Sequence, residues 1–375
     1  MPVASFSLIE KFSLLAGSLS PEFFLNKTRP MLYRKFKEPE KVHAAVLGEV
    51  SRYARLIKPL SLFFTPSPLL KIRIKGIELV PFGTAAGFDK DAEALLPLSY
   101  FFGFLEPGTV TVMPRAGNPE PRVYSDNKNF AVFNAQGFPS KGLKHFKSNL
   151  EYYREHKGKK PVFANICGLP TPSLDDAFDQ IETLVKELRG LVDGFIWDPV
   201  SPNTASLKLL RTPDVFEKTA SLLKRQAGNK LKLVKMWPYE RNEKAFFMKL
   251  LHSFIDNGGD GVVAVNTKQV PRSSVPAVEW GYASAGLSGR PLKSYRLRSV
   301  KEIRKEFSDI VIVATGGIFD GDDAYETFEA GANLLEGFTP YVFYGVGLVR
   351  KLEKRVEERL KSEGIDLETL QSKWK

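Results

Sequence analysis

Two hydrophobic rhythms divide the chain. From about residue 70 onward, short apolar, β-rich runs alternate with stretches whose apolar positions recur at helical spacing. Eight runs read as strands: 83–86, 104–107, 162–166, 194–197, 231–236, 261–265, 310–314 and 333–337. Helical patterns fall between most of them, at 174–188, 212–227, 243–257, 294–307 and 321–330. Residues 72–79 read as a hairpin turning at Lys75-Gly76, just before the first main strand. Eight alternating units predict an α/β protein with a closed (β/α)8 barrel. An open doubly wound sheet is the competing arrangement, but no G-x-G-x-x-G opens a first βα unit.

Residues 1–60 follow the helical rhythm alone. Leu8, Phe12 and Leu15 share one face with Ile9 beside them, and Ser20-Pro21-Glu22 is a helix start. Pro39-Glu40 opens a further helix carrying Val42, Ala45, Val46 and Leu56, with Arg29, Arg34, Lys35 and Lys37 interspersed nearby. Such a module can lie on a membrane surface, apolar side chains inserted and cations at headgroup level, or simply pack on the main domain. The expected division is a helical module at 1–60, a barrel at 61–350 and a charged helix or tail at 351–375.

Composition narrows the chemistry. The chain has 375 residues, 43% hydrophobic and 26% charged, as in a globular protein. No apolar run approaches 18 residues, and no signal-peptide pattern opens the chain, so neither a membrane span nor export is expected. A single cysteine, Cys167, excludes an internal disulfide and a cysteine-built metal site. The four histidines lack metal-ligand spacing, so no metal is expected. A net charge of +11 suits an anionic partner. The cations are scattered and no nucleic-acid motif appears, which argues against nucleic acid.

In a barrel, the strands' carboxyl ends form the active face. Here they carry Ala86-Gly87-Phe88-Asp89-Lys90, Gly108-Thr109-Val110-Thr111, Asn165, Lys235, Asn266-Thr267, Gly316-Gly317 and Phe338-Thr339. The strand at 194–197 leads into Asp198-Pro199-Val200-Ser201-Pro202-Asn203-Thr204, a loop stiffened by two prolines. The diglycine after the seventh strand, followed by Phe338-Thr339 after the eighth, suits a phosphate. There is no Ser-His-Asp order and no obvious pair of catalytic carboxylates. A phosphate pocket without hydrolytic machinery implies an organic cofactor. Flavin mononucleotide (FMN) would use these parts: Lys235 and Lys90 near its ring, and Ser201 moving a proton at a substrate carbon.

These stretches resemble the class 2 dihydroorotate dehydrogenases, which are membrane-associated and quinone-reducing. The resemblance spans about residues 36–350. It is carried by Pro39-Glu40-Lys41-Val42-His43, AAGFDKD at 85–91, GTVT at 108–111, PRAGNPEPR at 114–122, and Asn134 with Gly137-Phe138. SPNT at 201–204, GLSGRPL at 286–292 and TGGI at 315–318 complete it. It implies Ser201 as the base in oxidation of dihydroorotate, where class 1 has cysteine. It implies a substrate pocket of Lys90, Asn134, Phe138, Asn203, Asn266 and Thr267. The implied FMN site comprises Ala86, Gly87, Lys90, Thr109, Asn165, Asp198, Lys235, Gly289, Gly317, Phe338 and Thr339. His43 and Arg122 match residues of a quinone tunnel. The resemblance also implies a role in pyrimidine (UMP) biosynthesis and peripheral attachment to a membrane, cytoplasmic or organellar.

The chain departs from the family pattern near the chemistry. Asp198 stands where the family has Asn, and a carboxylate only accepts hydrogen bonds where an amide also donates. Ala135 replaces an arginine, Gly168-Leu169-Pro170 replaces G-K-N, and Pro340 brings no N–H to the phosphate end. A flavin-binding relative acting on another small substrate, or a flavin-free barrel without activity, fits the same departures.

Overall fold

A computed structural model describes residues 6–277 and 279–374. Its centre is a parallel eight-stranded barrel: β1 (Phe82–Thr84), β2 (Phe104–Leu105), β3 (Phe163–Ile166), β4 (Gly194–Trp197), β5 (Leu231–Met236), β6 (Gly261–Ala264), β7 (Val311–Thr315) and β8 (Leu334–Gly337). Each forms within a few residues of its sequence-predicted run. The order β2-β1-β8-β7-β6-β5-β4-β3 leaves one gap. It is closed by the parallel bridge between Leu105 and Val162, with Leu105 N–H donating to the Pro161 carbonyl at 3.0 Å.

The strands read as near-continuous apolar runs because both faces are buried, by the barrel interior and by the helices. Two strand glycines permit close approaches. A Cβ on Gly83 would lie 2.5 Å from the Phe104 ring, and one on Gly261 would lie 1.9 Å from the Val311 carbonyl oxygen. The outer helices start where the sequence places caps. Ser173 and Asp176 form a capping box before Leu174–Leu188, Thr212 caps Pro213–Ala227, and Asp320 with Asp323 caps Gly321–Glu329. Helix Leu348–Glu363 buries Leu348, Val349, Leu352, Val356 and Leu360 against the barrel.

A second sheet escaped the sequence reading. Four antiparallel strands, in the order Lys268–Pro271, Ser284–Gly289, Ala131–Asn134 and Val123–Asp126, pack over Phe133, Val270, Trp280 and Ala285. The 72–79 hairpin forms as expected.

The N-terminal helices comprise Leu8–Leu19, Pro21–Phe23, a wide turn at Phe24–Thr28 running into Arg29–Phe36, and Pro39–Arg52. Ser7 and Glu10 box the first start, and Ser20 caps the second. Arg29 fastens the group to the barrel side. Its guanidinium donates to Ser125 Oγ (2.9 Å) and Asn127 Oδ1 (2.8 Å) and stacks 4.4 Å from the Phe343 ring. One apolar face turns inward through Leu32 and Val42. The other is bare: Leu8, Ile9 and Phe12 are 84%, 80% and 68% exposed. Among the described residues, no helix is long and apolar enough to cross a membrane.

Candidate active site

One cavity of about 950 Å³ runs from between the N-terminal helices down to the strand ends. Leu8, Phe12, Val46 and Leu56 line its outer part; Ser201, Lys235 and Gly316 line its inner part. The barrel brings together residues scattered over the whole chain. Lys90, Asn134, Phe138, Ser201, Asn203, Asn266, Thr267, Ala86, Gly87, Thr109, Asp198, Lys235, Gly289, Gly317, Phe338, Thr339 and His43 all line this cavity.

Two residues that the resemblance placed here stand behind the wall. Arg122 is buried, donating through Nε and Nη2 to Glu40 at 3.0 Å each, and through Nη1 to the Ala116 (2.6 Å) and Asn118 (2.7 Å) carbonyls. Its charge reaches the cavity only through Glu40, which does line it. Asn165 is fully buried and donates to Glu106 Oε1 at 2.7 Å, while its own Oδ1 lacks a partner. Asp89, the other strand-end acid, accepts N–H bonds from Glu93 (2.8 Å) and Ala94 (2.9 Å). Burial pushes it up to about 7. It shapes its loop and does not touch the cavity.

At the polar end, amides lock one another. Asn203 Nδ2 donates to Asn134 Oδ1 at 2.7 Å, and Asn134 Nδ2 to the Gly286 carbonyl at 3.0 Å. Asn266 Oδ1 accepts from the Thr267 N–H at 2.7 Å. Ser201 Oγ accepts the Asn203 N–H at 3.4 Å. Asp198 takes the Val200 N–H at 3.1 Å, and Asn266 Nδ2 lies 3.3 Å from both its oxygens. Burial raises the Asp198 carboxyl above its ordinary range, and nearby Lys235 only partly offsets that.

Beneath these groups Lys235 is buried between two carboxylates, 3.1 Å from Glu106 Oε1 and 3.4 Å from Glu336 Oε1. Burial works against its charge, but Glu106, Glu336 and Asp198 outweigh it and hold the ammonium above its usual range. Burial and the neighbouring Glu106 drive Glu336 far up, favouring its neutral form. Glu40, Glu106 and Glu336 were not among the site residues expected from the sequence. Glu106 and Glu336 did leave a signal: an acid inside an apolar strand must find a cation or keep its proton.

At the opposite end, Gly289, Gly316 and Gly317 have φ of +100°, +102° and +73°, which only glycine adopts freely. Thr339 and Ser288 share a hydroxyl hydrogen bond at 2.8 Å. Toward the helices, His43 stacks on Phe338 (5.6 Å between centroids), and its Nε2 lies 2.6 Å from the Phe88 carbonyl, so Nε2 carries the proton. Burial and the Lys90 charge pull it down to about 4, so the ring is neutral at physiological pH. Among the described residues, no group of His, Cys, Asp and Glu is arranged to hold a metal ion.

A closed α/β barrel whose strand-end polar pocket opens through an apolar passage under a helical module defines a barrel enzyme with a lipid-compatible entrance. The profile of the family described as "Dihydroorotate dehydrogenase" matches residues 69–360. Curated relatives named "Dihydroorotate dehydrogenase (quinone)" include one from a Nitratiruptor species, 32% identical over 81% of this chain and 85% of its own. Another, from Gloeobacter violaceus, is 31% identical over 90% of this chain and 95% of its own. The crystal structure of the Eimeria tenella enzyme (DHODH) in complex with ferulenol superposes with a TM-score of 0.78 at 28% identity. It covers 92% of this chain and 98% of that one. The chain belongs to the dihydroorotate dehydrogenase family, in its class 2 branch, and is an oxidoreductase.

Proposed function

We propose that the protein oxidises dihydroorotate to orotate in pyrimidine biosynthesis, using FMN and passing the electrons to a membrane quinone. The observation that carries this reading is the single cavity joining the strand-end polar pocket to an apolar mouth between the N-terminal helices. One cavity can serve a polar substrate at its floor and a lipid-soluble acceptor at its mouth.

The residues present fit a flavin nucleotide. Three positive-φ glycines bare their backbone at the phosphate end. Buried Lys235, which lines the cavity, supplies fixed positive charge near the ring's expected place. Bound there, FMN would supply the hydride acceptor. The protein's own groups do the rest. Asn134, Asn203, Asn266 and Thr267 form a pre-ordered set of donors and acceptors for the pyrimidine ring. Lys90 attracts the substrate carboxylate. Ser201 Oγ takes the proton from the carbon beside the ring carbonyl, its own hydroxyl proton passing to water, as hydride leaves the adjacent carbon. The Asn203 N–H donated to Oγ favours the alkoxide character that this base needs. Neutral His43 and Phe338 mark where the apolar passage meets this pocket.

Anaerobic mixing with dihydroorotate tests the reading: the bound flavin should bleach and orotate should appear. A yellow protein that dihydroorotate leaves oxidised would refute it.

The bare apolar face and the scattered cations support peripheral membrane attachment of residues 1–60. Deleting residues 1–37 is expected to leave anaerobic bleaching intact but to slow reoxidation by a long-chain quinone in vesicles severalfold. Stopped-flow reoxidation checks this, and unchanged quinone rates would remove the module from the quinone path.

Asp198 sets a second expectation. Its carboxylate shares the pocket with an anionic substrate, so Asp198→Asn should tighten orotate binding about tenfold, or about 1.4 kcal/mol. The gain should widen as pH rises through the titration of Asp198, whose carboxyl burial holds above its ordinary range. Orotate titration of both proteins across a broad pH range checks it. A tightening independent of pH would mean that the amide's donor, and not the lost charge, is responsible.

A further inference from the structure

The phosphate end of the cavity contains no charged side chain. It is lined by Gly289, Leu292, Gly316, Gly317, Phe338 and Thr339. The two nearest cations along the chain are committed elsewhere. Arg290 stacks on Phe130 and Phe319, at 4.6 and 5.1 Å from the ring centres, and Lys293 pairs with Asp323 at 2.6 Å. Pro340, at the start of the following helix, has no N–H to give. A phosphate dianion held by backbone alone would be poorly compensated.

Arg296 lies directly behind the diglycine turn. It is fully buried, and its Nη1 donates to the Gly316 carbonyl at 2.7 Å. Its Nε and Nη2 have no protein partner. Leu292 lines the cavity, and Arg296 lies one helical turn beyond it, on the same face. Burial pulls the guanidinium down to about 10, which leaves it charged at neutral pH. The acids it senses, Asp320, Asp323 and Glu326, do not hydrogen-bond to it. Asp323 is already occupied by Lys293 and by the N–H groups of Phe319 and Asp320. A buried cation with two idle N–H groups is costly unless an anion stands close by. Its bond to the Gly316 carbonyl also fixes the orientation of the Gly316–Gly317 peptide, whose N–H belongs to the cradle.

We propose that Arg296 is the positioning residue that makes this pocket selective for a phosphorylated flavin over the unphosphorylated one. It acts through Gly316, orienting the diglycine peptide and placing a positive charge behind the phosphate. The proposal rests on the flavin reading above and identifies the part of the ligand that decides its affinity.

The test uses the full chain, stripped of flavin and titrated with FMN and with riboflavin. Wild type should bind FMN far more tightly than riboflavin. Arg296→Met should cut that preference by about tenfold or more, while riboflavin affinity stays within about twofold. Arg296→Lys should restore most of the preference. Arg296→Gln, which keeps a donor for Gly316 and much of the packed volume but not the charge, should lose part of the preference, less than the Met variant, and serves if the latter does not fold. Equal losses for both ligands, or a preference unchanged in the Met and Gln variants, would overturn the proposal while leaving the flavin reading intact. Wild type that binds neither ligand would overturn the flavin reading itself, and this proposal with it.

Discussion

Replacing Ser201 with alanine is expected to slow flavin reduction by dihydroorotate about 10²–10⁴-fold at neutral pH, the usual worth of a positioned proton acceptor. Orotate affinity should change little, because the side chains proposed to hold the ring, Asn134, Asn203, Asn266 and Thr267, are fixed by other partners, and only the Asn203 backbone N–H reaches the Ser201 hydroxyl, at a long 3.4 Å. The asymmetry between rate and affinity marks a group that acts in the transition state and not in the bound complex. A serine hydroxyl is a weak base, so the loop must help it. Pro199 and Pro202 stiffen the backbone on both sides, and the Asn203 N–H points at Oγ. Ser201→Cys should recover part of the rate and shift the pH profile downward, since a thiol ionises near about 8.5. Anaerobic stopped-flow from pH 6 to 10 on the three proteins measures all of this. Alanine and serine enzymes with matching profiles would move the base to another group.

The barrel was legible because its strands are buried on both faces and so read as unbroken apolar runs, bounded by glycine and polar strand ends. The four-stranded sheet was not. Ser284–Gly289 is S-A-G-L-S-G, with neither alternation nor β-rich composition to mark it, and Val123–Asp126 is only V-Y-S-D, too short to show a period. The sheet is held together by a long-range pairing, Gly286 opposite Asn134, 152 positions apart.

The candidate site divides the same way. Ser201, Asn203 and the diglycine could be read because rigid loops at strand ends expose whatever they carry. What Asp198 does could not be read, since its nearest partners include Asn266, 68 positions along the chain. Arg122 shows the limit of matching by position. It occupies the expected segment, yet the side chain that reaches the cavity is that of Glu40, to which Arg122 is bound. The bare face of Leu8, Ile9 and Phe12 was written in the sequence as a face. Only the fold distinguishes it from the inward one carrying Leu32 and Val42.

Removing the charge of Lys235 is expected to have the largest effect on stability. Lys235→Met keeps most of the volume but leaves Glu106 and Glu336 buried with no cation between them, and Asp198 near by. Breaking a buried ion pair from one side costs about 3–5 kcal/mol. Urea unfolding of the variant and the wild type at neutral pH measures the deficit. The double variant Lys235→Met/Glu106→Gln should regain much of the loss, because the charge left unpaired is then gone as well. Failure of that rescue would show that packing around Lys235, and not its charge, holds the barrel floor together.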